Sequence, residues 1–223
     1  MLLSELFSLL MLLLVIPAAV KDAKQALLPK MKMERGFQHL TFATVFALGL
    51  LWSAQAGIKA DLNIHFLALT TITMMYGWRV AFLLSIPASM IKALLGNLDW
   101  SALPEYLLIS ALIPILLTYL IFLASYRWLP RNIFVFIFVA GFFNGGVTGT
   151  CHLLLNAAYL LLLGSHDWAT IYDNYLIFLP LLAFPEGLLN GMALAMLCVF
   201  KPEWLRTFSD RDYLYNHHHN DRR

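Results

Sequence analysis

Glu105-Tyr106-Leu107-Leu108-Ile109-Ser110-Ala111-Leu112-Ile113-Pro114-Ile115-Leu116-Leu117-Thr118-Tyr119-Leu120-Ile121-Phe122-Leu123-Ala124-Ser125-Tyr126 is the stretch that decides the fold. After Glu105 it carries no charged side chain. A helix of about 20 apolar residues spans the hydrocarbon core of a bilayer, and this run is long enough to do so. Outward from it, comparable apolar runs fall at about 2–20, 37–57, 62–78, 80–97, 132–164 and 175–200. The expectation is an all-α polytopic membrane protein with about seven transmembrane helices. Residues 1–200 would form a single transmembrane domain, and 201–223 a short cytoplasmic tail.

The composition agrees. Hydrophobic residues make up 61% of the chain and charged residues 13%, against about 25% charged in a soluble domain. So few charges do not cover a soluble surface of this length. The first run starts with the acidic Met1-Leu2-Leu3-Ser4-Glu5 and is followed by a basic loop. A secretory signal peptide has a basic start instead, so the run reads as a retained first span. Cys151 and Cys198 both lie within apolar runs and suggest no structural disulfide.

Three spans look irregular. The third and fourth are short and abut at Gly77-Trp78-Arg79, which reads as a tight helical hairpin. The sixth contains Gly141-Phe142-Phe143-Asn144-Gly145-Gly146-Val147-Thr148-Gly149. Glycine weakens helices, so a glycine-broken sixth helix is expected there.

Basic residues set the direction. With the exceptions of Lys59 and Lys92, every Lys and Arg falls on one face of a seven-span arrangement, in the 21–36 loop, at Arg79, Arg127 and Arg131, and in the tail. Cytoplasmic loops are enriched in Lys and Arg. The chain is therefore read as a multi-pass protein of the bacterial inner (plasma) membrane, with its N-terminus outside and its C-terminus in the cytoplasm. The opposite face carries Asp61, Asp99, Glu105, Asp167 and Asp173, a mild attraction for cations. The tail contains His217-His218-His219, which is either a weak metal site or a solvated segment.

Ionisable groups in hydrocarbon cost roughly 2.5–3.5 kcal/mol on insertion scales, so each calls for a partner or a function. They are Glu5, His39, His65, Lys92, Cys151, His152 and Glu186. The candidate metal ligands are His65, Cys151, His152 and Glu186, with Asn63, Asn144, Asn156 and Asn190 as supporting polar groups. Thiolate and imidazole suit a transition metal such as Co, Ni, Cu or Zn better than Mg or Ca. Each residue also has a structural reading. His65 caps a helix, His152 and Asn156 bond between helices, and Glu186 anchors hydrogen bonds or pairs with Lys92 or a histidine.

No phosphate-binding glycine loop, Gly-x-Ser-x-Gly or His-Glu-x-x-His pattern is present. The chain thus carries no ATPase motif of its own and is not read as an enzyme. No basic patch interleaved with aromatics points to nucleic acid.

Asn63-Ile64-His65-Phe66-Leu67-Ala68-Leu69-Thr70, followed by Met75-Tyr76-Gly77-Trp78-Arg79-Val80-Ala81, resembles a segment of the cobalt/nickel energy-coupling-factor membrane subunits of the CbiM type. Pro185-Glu186-Gly187 in the last span resembles that family's late Glu-Gly. The closing Pro202-Glu203-Trp204-Leu205-Arg206-Thr207-Phe208-Ser209-Asp210 is similar to a divergent group of bacterial energy-coupling-factor permease-like proteins. The resemblance implies a membrane permease that binds a transition metal for uptake and is energised by separate ATPase and coupling subunits on the cytoplasmic side. It implies a metal held by the chain's own N-terminus, a His after the first Met and a His matched by His65. Leu2 stands at the first of those histidines and Ala68 where the family usually has Gly. Two other readings accompany transport: delivery of a metal or cofactor to a membrane metalloenzyme, and an intramembrane enzyme using Glu186 and His152.

Overall fold

The computed structural model describes residues 3–57, 59 and 62–213. Leu2, Asp61 and the histidines 217–219 lie outside the described residues. Seven helices account for most of the rest: α1 (Leu6–Met33), α2 (Arg35–Ser53), α3 (Leu69–Tyr76), α4 (Trp78–Leu94), α5 (Leu103–Trp128), α6 (Ile133–Leu162) and α7 (Trp168–Phe200). No strand occurs among the described residues, only a bridge in which Ala56 and Ile64 exchange backbone hydrogen bonds at 2.9 and 2.8 Å.

Four of the helices, α1, α5, α6 and α7, are long and apolar enough to cross a membrane. Leu14 on α1, Leu120 on α5, Leu162 on α6 and Leu181 and Phe184 on α7 are exposed, as helices surrounded by lipid require. The chain is a multi-pass helical membrane protein. The expected seven spans shrink where α3 is concerned. Its 8 residues reach only about 12 Å, against a hydrocarbon core of about 30 Å. The lead-in over 62–68 is not helical. The expected pairing of short segments is present: α3 and α4 meet at Gly77, whose φ of 77° lies in the left-handed region that glycine tolerates.

The glycine-rich stretch of α6 does not break the helix, which corrects the sequence expectation. Asn144–Leu162 is regular α-helix, and the irregularity precedes it as wider π-type turns over Phe136–Phe143. The glycines serve packing instead. A Cβ on Gly145 would meet the Asn190 side chain at 3.0 Å, and one on Gly187 would meet the Phe142 carbonyl oxygen at 2.6 Å. Small residues on both helices let α6 and α7 approach more closely than side chains would permit, as is common in membranes. This is the most extensive helix pairing in the bundle. The basic stretch after the first apolar run is likewise helical, continuing α1 to Met33.

The segment after α7 packs back onto the bundle. The amides of Arg206 and Thr207 donate to the carbonyls of Met75 and Met74 at 3.1 and 3.2 Å, which completes the C-terminal end of α3. Arg206 also forms a salt bridge with Asp22 of α1 at 2.6 Å. Phe208 and Tyr213 are buried against Phe136.

A candidate metal site beneath a polar cavity

The short α3 is fixed at its N-terminal end by α7. The buried Glu186 carboxylate accepts hydrogen bonds from the amides of Leu67 and Ala68 at 2.8 and 2.7 Å. Asn190, one helical turn on, donates to the same carboxylate at 2.9 Å and accepts from the amide and the hydroxyl of Thr71, each at 2.8 Å. A negative side chain at a helix N-terminus satisfies amides that have no intrahelical acceptor and complements the helix dipole. Glu186 therefore does not pair with Lys92 or a histidine. It holds the non-helical segment that carries His65. Ala68 within that segment has a φ of 53°, the one non-glycine residue in the left-handed region among those described.

His65 is buried, and Tyr106 Oη lies 3.0 Å from its Nε2. His152, on α6, is buried too, with Ser110 Oγ 3.1 Å from its Nε2. The two imidazoles come together edge to face, their centroids 5.8 Å apart. Nδ1 of each is buried and has no hydrogen-bond partner. An unsatisfied buried polar atom costs about 1–3 kcal/mol, and two such atoms lie in adjacent rings here. A metal-ligating histidine donates its other ring N–H to an acceptor that fixes its tautomer. The Tyr106 and Ser110 hydroxyls stand where they can accept those N–H groups. Ser110 belongs to a stretch of wider turns over Leu107–Leu112 that interrupts α5, a distortion often found at functional sites.

His65 and His152 line one cavity of about 450 Å³, together with Asn63, Lys92, Glu105, Tyr106, Ser110 and Asn156. The cavity reaches the bundle end formed by Gly96, Asn97, Asp99 and Ser165. Along α4 this end is opposite Arg79, so the cavity opens away from the basic end of the molecule. Trp52 braces the wall: its indole N–H donates to the Leu67 carbonyl at 3.1 Å, and its ring packs edge-on against Tyr106 at 5.6 Å. The Lys92 amine sits over the Tyr106 ring, 4.5 Å from its centroid.

Of the four candidate ligands, the fold brings His65 and His152 together. Cys151 is half-buried and does not line the cavity, because successive helical residues point about 100° apart. Of the supporting amides, Asn63 and Asn156 line the cavity, with Asn156 also donating to Tyr175 Oη at 3.0 Å. Asn190 belongs to the α7–α3 clamp. Asn144 lies deeper, donating to the Thr118 carbonyl at 3.0 Å, beside the Thr70, Thr118 and Thr148 hydroxyls. Tyr106 and Ser110 escaped the sequence reading because hydroxyls in apolar runs are common. Among the described residues no group of three or more His, Cys, Asp and Glu side chains could hold a metal ion.

The model of the CbiM family, described as cobalt uptake substrate-specific transmembrane region, matches residues 2–204. No curated protein and no solved structure matches the chain.

Proposed function

Because the chain belongs to the CbiM family of cobalt uptake transmembrane regions, we propose that it is the cargo-binding membrane subunit of an uptake system for a divalent transition metal. The cargo binds between His65 and His152. The supporting observation is the pair of buried, unpartnered Nδ1 atoms in rings 5.8 Å apart. Neutral imidazoles are common ligands for cobalt, nickel, copper and zinc. Glu186 and Asn190 act as positioning residues for the His65 segment.

In this reading the cavity faces outward, the N-terminus is outside, and the basic end with residues 201–213 is cytoplasmic, where separate ATPase and coupling subunits dock. The experiment is elemental analysis of detergent-purified protein loaded with cobalt or nickel. Wild type retains metal, while His65→Ala and His152→Ala lose it. Metal content unchanged in both variants overturns the site. For the orientation, in a background with Cys151 and Cys198 replaced, a membrane-impermeant maleimide labels Asp99→Cys in intact cells but labels Lys201→Cys only after permeabilisation. The reverse pattern inverts the topology.

A further inference from the structure

The cavity holds more than an ion needs and fewer ligands than an ion demands. Two imidazoles supply two coordination positions, whereas transition metals take four to six, and no third His, Cys, Asp or Glu joins them among the described residues. A water molecule's share of liquid volume is about 30 Å³; the cavity has about 450 Å³. The missing ligands therefore have room to arrive with the cargo.

The wall specifies their chemistry. Lys92 is 3% exposed and lines this cavity. Its amine has the Tyr106 ring below it and forms no salt bridge with a described carboxylate. A buried ammonium calls for an anionic partner, and beside a bare divalent cation it is repulsive. Glu105 lines the same cavity with an Oε1 that is buried and unpartnered. The wall thus offers one unpaired cation and one unsatisfied carboxylate oxygen in the cavity that His65 and His152 also line.

Resting on the metal-uptake reading above, we propose that the cargo is a metal ion already chelated by a small amino-carboxylate, whose carboxylate is bound by Lys92 while His65 and His152 complete the metal's coordination. The chelate's carboxylate oxygen not bound to metal takes the Lys92 ammonium. Its metal-bound amine keeps N–H groups that Glu105 can accept. Selectivity then lies in the organic ligand as well as in the metal.

The test compares two chelators that differ by one carboxylate. Purified protein is dialysed against cobalt with radiolabelled L-histidine or with radiolabelled histamine, and bound cobalt and label are counted together. Wild type retains cobalt and L-histidine in equal amounts, at least about tenfold more tightly than cobalt with histamine, the discrimination expected of one charge-assisted contact. Lys92→Met lowers that ratio about tenfold, and Lys92→Arg restores most of it. Wild type that binds cobalt but yields it to L-histidine without retaining the label overturns the proposal and leaves metal uptake standing. So does a discrimination ratio that is unchanged in Lys92→Met. No cobalt bound under any condition overturns both.

Discussion

Glu186 reaches from α7 to accept the Leu67 amide at 2.8 Å, across 119 positions of sequence. That contact joins the last membrane helix to the non-helical segment bearing His65, and its partner contact to Ala68 makes it two-pronged. In the proposed site, Glu186 acts on metal binding through the position of His65.

Glu186→Gln places an amide NH₂ where an oxygen accepts a backbone N–H. It replaces a charge-assisted bond with a donor–donor clash, at a cost of about 1.5–3 kcal/mol. Thermal unfolding in detergent should shift down, and metal affinity should fall with it. Unaltered melting together with lost metal would instead make Glu186 a direct ligand.

Ala68→Gly should stabilise the protein. The left-handed conformation of Ala68 costs an L-residue roughly 1–2 kcal/mol, of which glycine's greater freedom in the unfolded chain takes back about 0.5–1. A rise of a few degrees in melting temperature is expected. A fall would mean that the Ala68 methyl contributes more by packing than its backbone loses.

Tyr106→Phe and Ser110→Ala remove the hydroxyls at the Nε2 atoms of His65 and His152. Such outer partners are typically worth 10–100-fold in metal affinity, and about tenfold is expected for each variant. The reading is a cobalt titration of protein whose melting temperature has been checked. Wild-type affinity in both variants would show that the rings hold their tautomers unaided.

Gly187→Ala forces a Cβ to within 2.6 Å of the Phe142 carbonyl oxygen, a backbone atom that cannot rotate away. Separation of α6 from α7 should cost about 1–3 kcal/mol, and displaces Glu186 with it. Gly36→Ala is the control, since its Cβ would meet Trp204 at an ordinary 3.7 Å. Equal melting temperatures for the two variants would argue against close packing as the reason for the glycines.

The sequence by itself determined the solvent of this protein. Apolar runs such as 105–126 are local properties of the chain, so they are legible residue by residue. His65, His152, Lys92 and Glu186 were each legible as costly groups in hydrocarbon, for the same reason. What each of them does depends on which neighbour meets it. The glycines of α6 read as a break because glycine lowers helix propensity, yet in the fold they are contact points for α7, and tertiary packing outweighs propensity. The third apolar run read as a span because hydropathy does not register that its first half is not helical and is held by Glu186. Only the tertiary structure decided that His65 and His152 share a wall with Lys92 and that Cys151, one residue from His152, does not. Burial makes a group expensive wherever it lies along the chain, and three-dimensional proximity determines what offsets the cost.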